Sequence, residues 1–297
     1  MPIRILIGYD GSPAANAAID ATAHLFPEVR AWVTHLWTPP FASTSLRQRL
    51  WADAHRVDDL VAAIEREGER EAERMAAIGV TLARAAGWDA EPLVVRSYGG
   101  EGLRFTEFAE QVDADLVVVG SRGLGGARAV LGSVSDMVVH YTPRPVLVVP
   151  YPLLIAEHGA LASGPVVVGY DGSTGAQLAM TTAARLFPSR GLVLASVEDG
   201  HPRAETTVEA QTGDATTVRL PMPAGHEAPG RAVAASLADY ARRRAAAVLV
   251  VGSRGRSAMR EILLGSVAMA TLHHAYRPVL VIPAPHGPIE DSPEAQQ

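Results

Sequence analysis

Ile5-Leu6-Ile7-Gly8-Tyr9-Asp10-Gly11-Ser12 returns 161 residues later (166 − 5) as Val166-Val167-Val168-Gly169-Tyr170-Asp171-Gly172-Ser173. Each copy is a short, unbroken apolar run that stops at a glycine and an acid. Each is followed by a helical pattern, Pro13–Phe26 in the first copy and Thr174–Phe187 in the second. Apolar runs of this kind suit strands buried on both faces, and a strand feeding directly into a helix opens a βα unit. Asp-Gly is also a hairpin signal, but the helical pattern that follows favours a strand-to-helix corner.

Three more blocks repeat in the same order. His24-Leu25-Phe26-Pro27 is echoed by Arg185-Leu186-Phe187-Pro188. Asp115-Leu116-Val117-Val118-Val119-Gly120-Ser121-Arg122-Gly123 is echoed by Ala247-Val248-Leu249-Val250-Val251-Gly252-Ser253-Arg254-Gly255. Arg144-Pro145-Val146-Leu147-Val148-Val149-Pro150 is echoed by Arg277-Pro278-Val279-Leu280-Val281-Ile282-Pro283. Four blocks in register define a tandem of homologous domains, read as residues 1–152 and 164–284, with residues 285–297 a proline-bearing disordered tail. Further helical patterns at Leu103–Gln111 and Arg231–Arg243 complete an alternating βα rhythm. The implied class is α/β: two open, doubly wound parallel sheets with helices on both faces.

The copies differ in the middle. Asp10 and Asp171 are 161 apart (171 − 10) but Gly120 and Gly252 only 132 (252 − 120), so the second copy is shorter by 29 residues (161 − 132). The first copy holds a charged helical pattern there, roughly Leu46 to Ala86, whose Glu/Arg spacing reads as a solvated helix face. The second holds a Thr/Gly/Pro/Ala-rich stretch, 198–230, read as a loop with one short strand at Thr217–Leu220.

Composition removes whole classes of chemistry. The 297 residues carry a net charge of −6, which disfavours a phosphate-neutralising nucleic-acid surface. There is no cysteine, hence no disulfide, thiolate nucleophile or cysteine zinc site. All 26 basic residues are arginine, which excludes a Walker-type lysine and a Schiff base. The amino-terminal apolar run is shorter than a secretory leader, and proline-broken segments such as 145–156 fall below the roughly 18 residues of a membrane span. A cytoplasmic location is expected.

Two glycine-rich loops carry the remaining signal. Gly252 and Gly255 end a buried strand, and Gly265-Ser266 opens a helix with Ser266 expected as N-cap. Exposed backbone N–H groups and a helix dipole make a phosphate cradle without lysine; tight turns and a helix cap alone explain the same residues. Asp10 and Asp171 fit a ribose-hydroxyl acceptor or a helix cap equally well.

These motifs together resemble the universal stress protein family in its tandem, ATP-binding form, over nearly the whole chain. The glycine pattern Gly-x2-Gly-x9-Gly-Ser is met by Gly252, Gly255, Gly265 and Ser266. The resemblance implies a five-stranded, Rossmann-like fold of the adenine nucleotide alpha hydrolase type. By position it assigns an ATP site in the second domain to Gly169, Asp171, Val197, Val251, Gly252, Ser253, Arg254, Gly255, Gly265, Ser266 and Val267. Backbone amides of Ser253 and Arg254, with the Ser266 hydroxyl, are the implied phosphate donors. The matching first-domain set is Gly8, Asp10, Leu36, Val119, Gly120, Ser121, Arg122, Gly123, Gly132, Ser133 and Val134. That copy has only eight residues between Gly123 and Gly132, and Arg128 inside the loop fits either a solvated arginine, the more common case, or a further phosphate contact.

The reading is an ATP-binding stress-response regulator rather than an enzyme, with Mg²⁺ entering on the phosphates and no protein metal cage. A slow ATP hydrolase and a nucleotide-free interaction scaffold are the alternatives. His35, His273 and His274 are expected in core or helix-end roles, because no zincin or triad spacing links them. The resemblance also implies that the closing strands pair the two domains within one chain, leaving a face for a homodimer.

Overall fold

The computed structural model describes residues 2–38, 56–97, 101–123, 129–198, 206–212, 215–223, 229–255 and 264–284. The expected tail at 285–297 lies outside them, as do Arg128 and the first ten residues of the Leu46–Ala86 pattern.

In the first domain, parallel strands β1 (Ile3–Gly8), β2 (Val29–Trp37), β3 (Asp89–Arg96), β4 (Leu116–Gly120) and β7 (Val146–Val149) lie in the order β3-β2-β1-β4-β7. Helices α1 (Pro13–Leu25), α2 (Val57–Ala85), α3 (Glu101–Gln111) and α4 (Ser133–Tyr141) connect them. Strands β5 (Arg122–Gly123) and β6 (Ala129–Val130) form a small antiparallel ladder within the glycine loop. A linker helix, α5 (Ile155–Ala160), leads to the second domain. There, β8 (Val166–Gly169), β9 (Leu192–Glu198), β11 (Ala215–Pro221), β12 (Val248–Gly252) and β13 (Val279–Ile282) repeat the parallel arrangement, with α6 (Thr174–Leu186), α7 (Pro229–Arg243) and α8 (Ser266–His274). Among the described residues, no helix is long and apolar enough to cross a membrane.

Alternation along the buried strands builds two cores. Ile5, Ile7, Leu116 and Val118 face one helical layer, while Leu6, Val117 and Val119 face the other. The long helix α2 approaches β2 through small residues: a Cβ at Gly79 would sit 2.7 Å from atoms of Tyr9 and Val33. Its outer face carries the expected ion pairs, such as Arg74 to Glu71 at 2.5 Å and to Glu67 at 3.5 Å.

The stretch at 198–230 departs from expectation. A second strand, β10 (Thr206–Thr212), pairs antiparallel with β11 and forms the sheet edge, and β11 is longer than the expected Thr217–Leu220. The residues 213–214 between them, Gly-Asp in the sequence, are a two-residue hairpin signal. The strands themselves are Thr-rich and half-polar, as suits an edge, so neither stands out as an apolar run.

The two sheets are continuous. β7 and β13 pair antiparallel, Val148 with Val279, Leu147 with Leu280 and Val146 with Val281, giving one 11-stranded sheet. Because Leu147 and Leu280 are equivalent in the repeat, a local two-fold axis passes through their pair. Phe26 and Phe187, also equivalent, meet with ring centroids 4.9 Å apart. The strands of the two domains therefore run in opposite directions, and their carboxyl ends open at opposite margins of the sheet.

Arg4 ties the start of β1 to the turn before β4. It donates to Asp113 at 2.7 Å and, through Nε, to Asp115 at 3.2 Å. Hydrogen bonds from Arg4 and Arg144 hold the Asp113 carboxyl below its usual range. Burial pulls Asp115 upward, but the Arg4 bonds outweigh it and the net direction is also downward. A folded-state pKa below the unfolded value, about 3.9, gives stability that is present at neutral pH and lost as pH falls through the acid range. Urea midpoints should therefore drop between about pH 5 and pH 3, with a shallower decline in Asp115→Asn. An unchanged slope in that variant would remove this pair from the account.

Candidate nucleotide clefts

In each domain the order in which strands are added reverses at the first strand, between β1 and β4 and between β8 and β12. Ligand clefts in open α/β sheets form outside the carboxyl ends of the strands at such points. Both corners are built alike. Gly11 and Gly172 take left-handed backbone, φ 76° and 78°, which glycine adopts without a Cβ penalty. Asp10 and Asp171 accept from the backbone N–H of Ser12 and Ser173 at 2.9 Å. The helix caps are the serines: Ser12 Oγ accepts from Ala15 N at 3.1 Å and Ser173 Oγ from Ala176 N at 3.2 Å. The aspartates thus brace the turn rather than cap the helix.

In the second domain a cavity of about 380 Å³ lies over this corner, within the range of about 300–1,000 Å³ usual for small-molecule sites. All eleven sequence-selected residues line it: Gly169, Asp171, Val197, Val251, Gly252, Ser253, Arg254, Gly255, Gly265, Ser266 and Val267. Val197, Val251 and Val267 supply apolar wall. The N-terminus of α8 supplies N–H groups of the first turn, which have no intrahelical acceptor, and a partial positive charge. Backbone crowds Gly252, where a Cβ would lie 3.0 Å from the Gly175 carbonyl, while a Cβ at Gly255 would press on the Asp171 side chain, 2.9 Å from Oδ2.

Two expectations about this cleft are corrected. The N-cap of α8 is Gly265 and Ser266 is the first helical residue, with no side-chain cap bond. The Ser253 N–H is not a phosphate donor, because it already donates to Ile282 O at 2.7 Å and extends the sheet. Its counterpart Ser121 donates to Val149 O at 2.8 Å in the same way. The serines after Gly120 and Gly252 therefore hold the loop to the closing strand.

Sequence reasoning missed one wall. Pro229, Gly230, Val233 and Leu237, all on α7, line the second cavity. The helix starts at Pro229, two residues before the expected Arg231 (231 − 229), and proline is well suited to a first helical turn. Gly230 faces the start of α8: a Cβ there would lie 2.7 Å from Ser266 Cβ.

The first-domain cavity is smaller, about 180 Å³. It is lined by Gly8, Asp10, Leu36, Val119, Gly120, Gly132, Ser133 and Val134 from the selected set. Ser121 is buried, and Arg122 and Gly123 form the β5 strand. His35 also lines it and contacts the Tyr9 carbonyl through Nδ1 at 2.8 Å. Burial, aided by the Asp10 charge, pushes the Tyr9 phenol up. The two cavities differ at one packed position. Phe105 and Leu237 are equivalent (105 + 132 = 237) and lie over the first-strand glycines, ring carbon 3.3 Å from the Gly8 Cβ position and Leu237 Cδ1 3.1 Å from that of Gly169. The phenyl ring, 1% exposed, fills space that leucine leaves open. Phe105→Leu should enlarge the first cavity at a stability cost of about 1–2 kcal/mol and raise nucleotide bound per chain in calorimetric titration. Unchanged stoichiometry would assign the difference to the glycine loop instead.

Comparison with known proteins places this architecture. Residues 1–150 and 163–283 match the model of the Universal stress protein family. A universal stress protein from Mycolicibacterium smegmatis is 34% identical over 186 residues, 57% of this chain and 62% of that protein. Another, Rv2623 of Mycobacterium tuberculosis, is 25% identical over 94% of this chain and 96% of its own length. The crystal structure of a universal stress protein from Archaeoglobus fulgidus superposes with a TM-score of 0.64 at 18% identity, covering 94% of this chain and 97% of that one.

Proposed function

This chain belongs to the universal stress protein family, and from that premise we propose that it binds ATP in the second-domain cleft and acts as a stress-response regulator. The observation that carries the reading is the convergence of all eleven motif residues on one cavity of about 380 Å³ at the start of α8. A flat apolar base fits between Val197 and Val251, the ribose hydroxyls meet the Asp171 carboxylate, and the phosphates take the helix N-terminus beside Arg254. Mg²⁺ accompanies the phosphates, which supply most of its ligands.

The role is binding rather than turnover. Among the described residues, the cavity wall offers Asp171 as its one carboxylate and no histidine, which is a poor basis for activating water for in-line attack. Occupancy acts by favouring one arrangement of the α7–α8 wall and of any surface built on it, in a cytoplasmic protein that can pair with a second copy.

The test is to denature the purified chain and quantify released nucleotide by chromatography and mass spectrometry, then titrate stripped protein with Mg·ATP. About one ATP per chain is expected, held by the second domain. No released nucleotide and no binding would overturn the reading in favour of a scaffold. Phosphate release that disappears in a Gly252→Glu control would overturn the binding-only role in favour of a slow hydrolase.

A further inference from the structure

Away from the clefts, imidazole and carboxylate groups converge where the first domain meets the linker. Asp20 and His24 lie one turn apart on α1, and His158 comes from α5, 138 residues from Asp20 in sequence. His158 Nε2 is 2.8 Å from Asp20 Oδ2. His24 Nδ1 is 2.9 Å from the Asp20 carbonyl oxygen and 3.9 Å from Asp20 Oδ1. The two imidazoles stand edge to face, 4.8 Å between centroids. One donor atom from each of the three residues lies within 4.8 Å of the others.

We propose that Asp20, His24 and His158 form a site for a borderline divalent cation of the Zn²⁺ type, bridging the first domain to the linker helix. Two imidazole nitrogens and one carboxylate are the donor set of a three-ligand zinc site whose fourth position is left to water. Imidazole favours Zn²⁺ over the hard cations Mg²⁺ and Ca²⁺, which prefer oxygen. The i,i+4 spacing puts two of the donors on one helix face.

The main chain that carries the site is held in place. Arg190 Nη2 donates to Leu161 O at 2.7 Å and to His24 O at 3.3 Å, so one guanidinium joins the ends of α1 and α5. Burial lowers the Arg190 pKa, and its charge is directed at these carbonyls rather than at the donor atoms. On α5, Glu157 is buried and faces Arg277 at 3.9 Å, which fixes the helix face adjoining His158. The ligand side chains are free to adjust: Asp20 is 56%, His24 40% and His158 42% exposed. Tetrahedral coordination at about 2.0–2.1 Å places donor atoms about 3.3 Å apart. The Asp20–His158 contact therefore has to open by roughly half an ångström while His24 swings inward.

The test uses tag-free, full-length protein, stripped with a chelator and free of nucleotide, titrated with Zn²⁺ against a chromophoric competitor. Uptake of one tight equivalent is expected, with a rise in Tm. In His158→Gln and Asp20→Asn that equivalent should weaken by at least about tenfold and the Tm rise should vanish. The metal-free Tm of each variant shows whether it folds, and His24→Gln supplies a third probe on the opposite ligand. No uptake by the wild type, uptake unchanged in His158→Gln and Asp20→Asn, or equal competition by Mg²⁺ would each overturn the proposal. None of these readouts depends on ATP.

Discussion

Gly265→Asp should abolish nucleotide binding in the second cleft while leaving the fold intact or slightly steadier. Gly265 is the N-cap of α8, in extended backbone at φ −73° and without a side-chain cap bond. Aspartate is among the preferred N-cap residues, better than glycine by a few tenths of a kcal/mol. Among the described residues, the atoms nearest a Cβ there are the Ser253 carbonyl oxygen at 3.3 Å, which has to give by a few tenths of an ångström, and Arg254 Cα at 3.8 Å. The new carboxylate then occupies the helix N-terminus proposed above for the phosphates. Like-charge juxtaposition costs several kcal/mol, so affinity for Mg·ATP should fall by about 100-fold or more. Calorimetric titration paired with urea denaturation reads both effects. Binding that survives with stability unchanged would place the phosphates elsewhere.

The largest stability effect is expected at the seam between the domains. Leu280 and Leu147 are completely buried and face each other at the centre of the β7–β13 pair. Leu280→Ala should cost about 2–5 kcal/mol, as truncation of a buried leucine does in a packed core. Because the sheet is continuous, the loss should appear in both halves: amide exchange in β4 and β12 should quicken together. Acceleration confined to β12 would show that the halves are stabilised separately. The double variant Leu147→Ala/Leu280→Ala should fall short of additivity, since the two side chains share one contact.

The repeated blocks made most of this architecture legible. A Val/Leu/Ile run bounded by glycine or proline has few uses other than a buried parallel strand, and three such blocks, with the Leu-Phe-Pro block at the end of the first helix, recur in the same order and fix the doubling and the position of each cleft. What escaped the sequence was set by neighbours far along the chain. The N-terminal wall of α7 touches the glycine loop only after folding, so Pro229 and Gly230 carried no local mark of their role. The Ser253 amide looked free as a sequence position and is engaged by a strand 29 residues later (282 − 253). Ser266 has the better intrinsic capping propensity, yet Gly265 takes the cap because its own N–H is drawn to the Ser253 carbonyl at 2.6 Å. The β10–β11 hairpin was hidden for the opposite reason: an exposed edge tolerates polar residues, and its strands lack the apolar continuity that marked the others.

The antiparallel seam between β7 and β13 would, in two separate chains, be a self-complementary contact that forms only at sufficient concentration and that every substitution alters twice. Here the 151–164 connection makes the encounter intramolecular and its effective concentration independent of how much protein is present. The covalent tether also frees each half to drift. Phe105 can narrow one cleft while Leu237 keeps the other open, and a charged helix can stand on one side where a hairpin stands on the other, with no mirrored penalty. The tandem chain is thereby a heterodimer that cannot dissociate, in which one half can specialise in ligand binding and the other in holding the shared sheet.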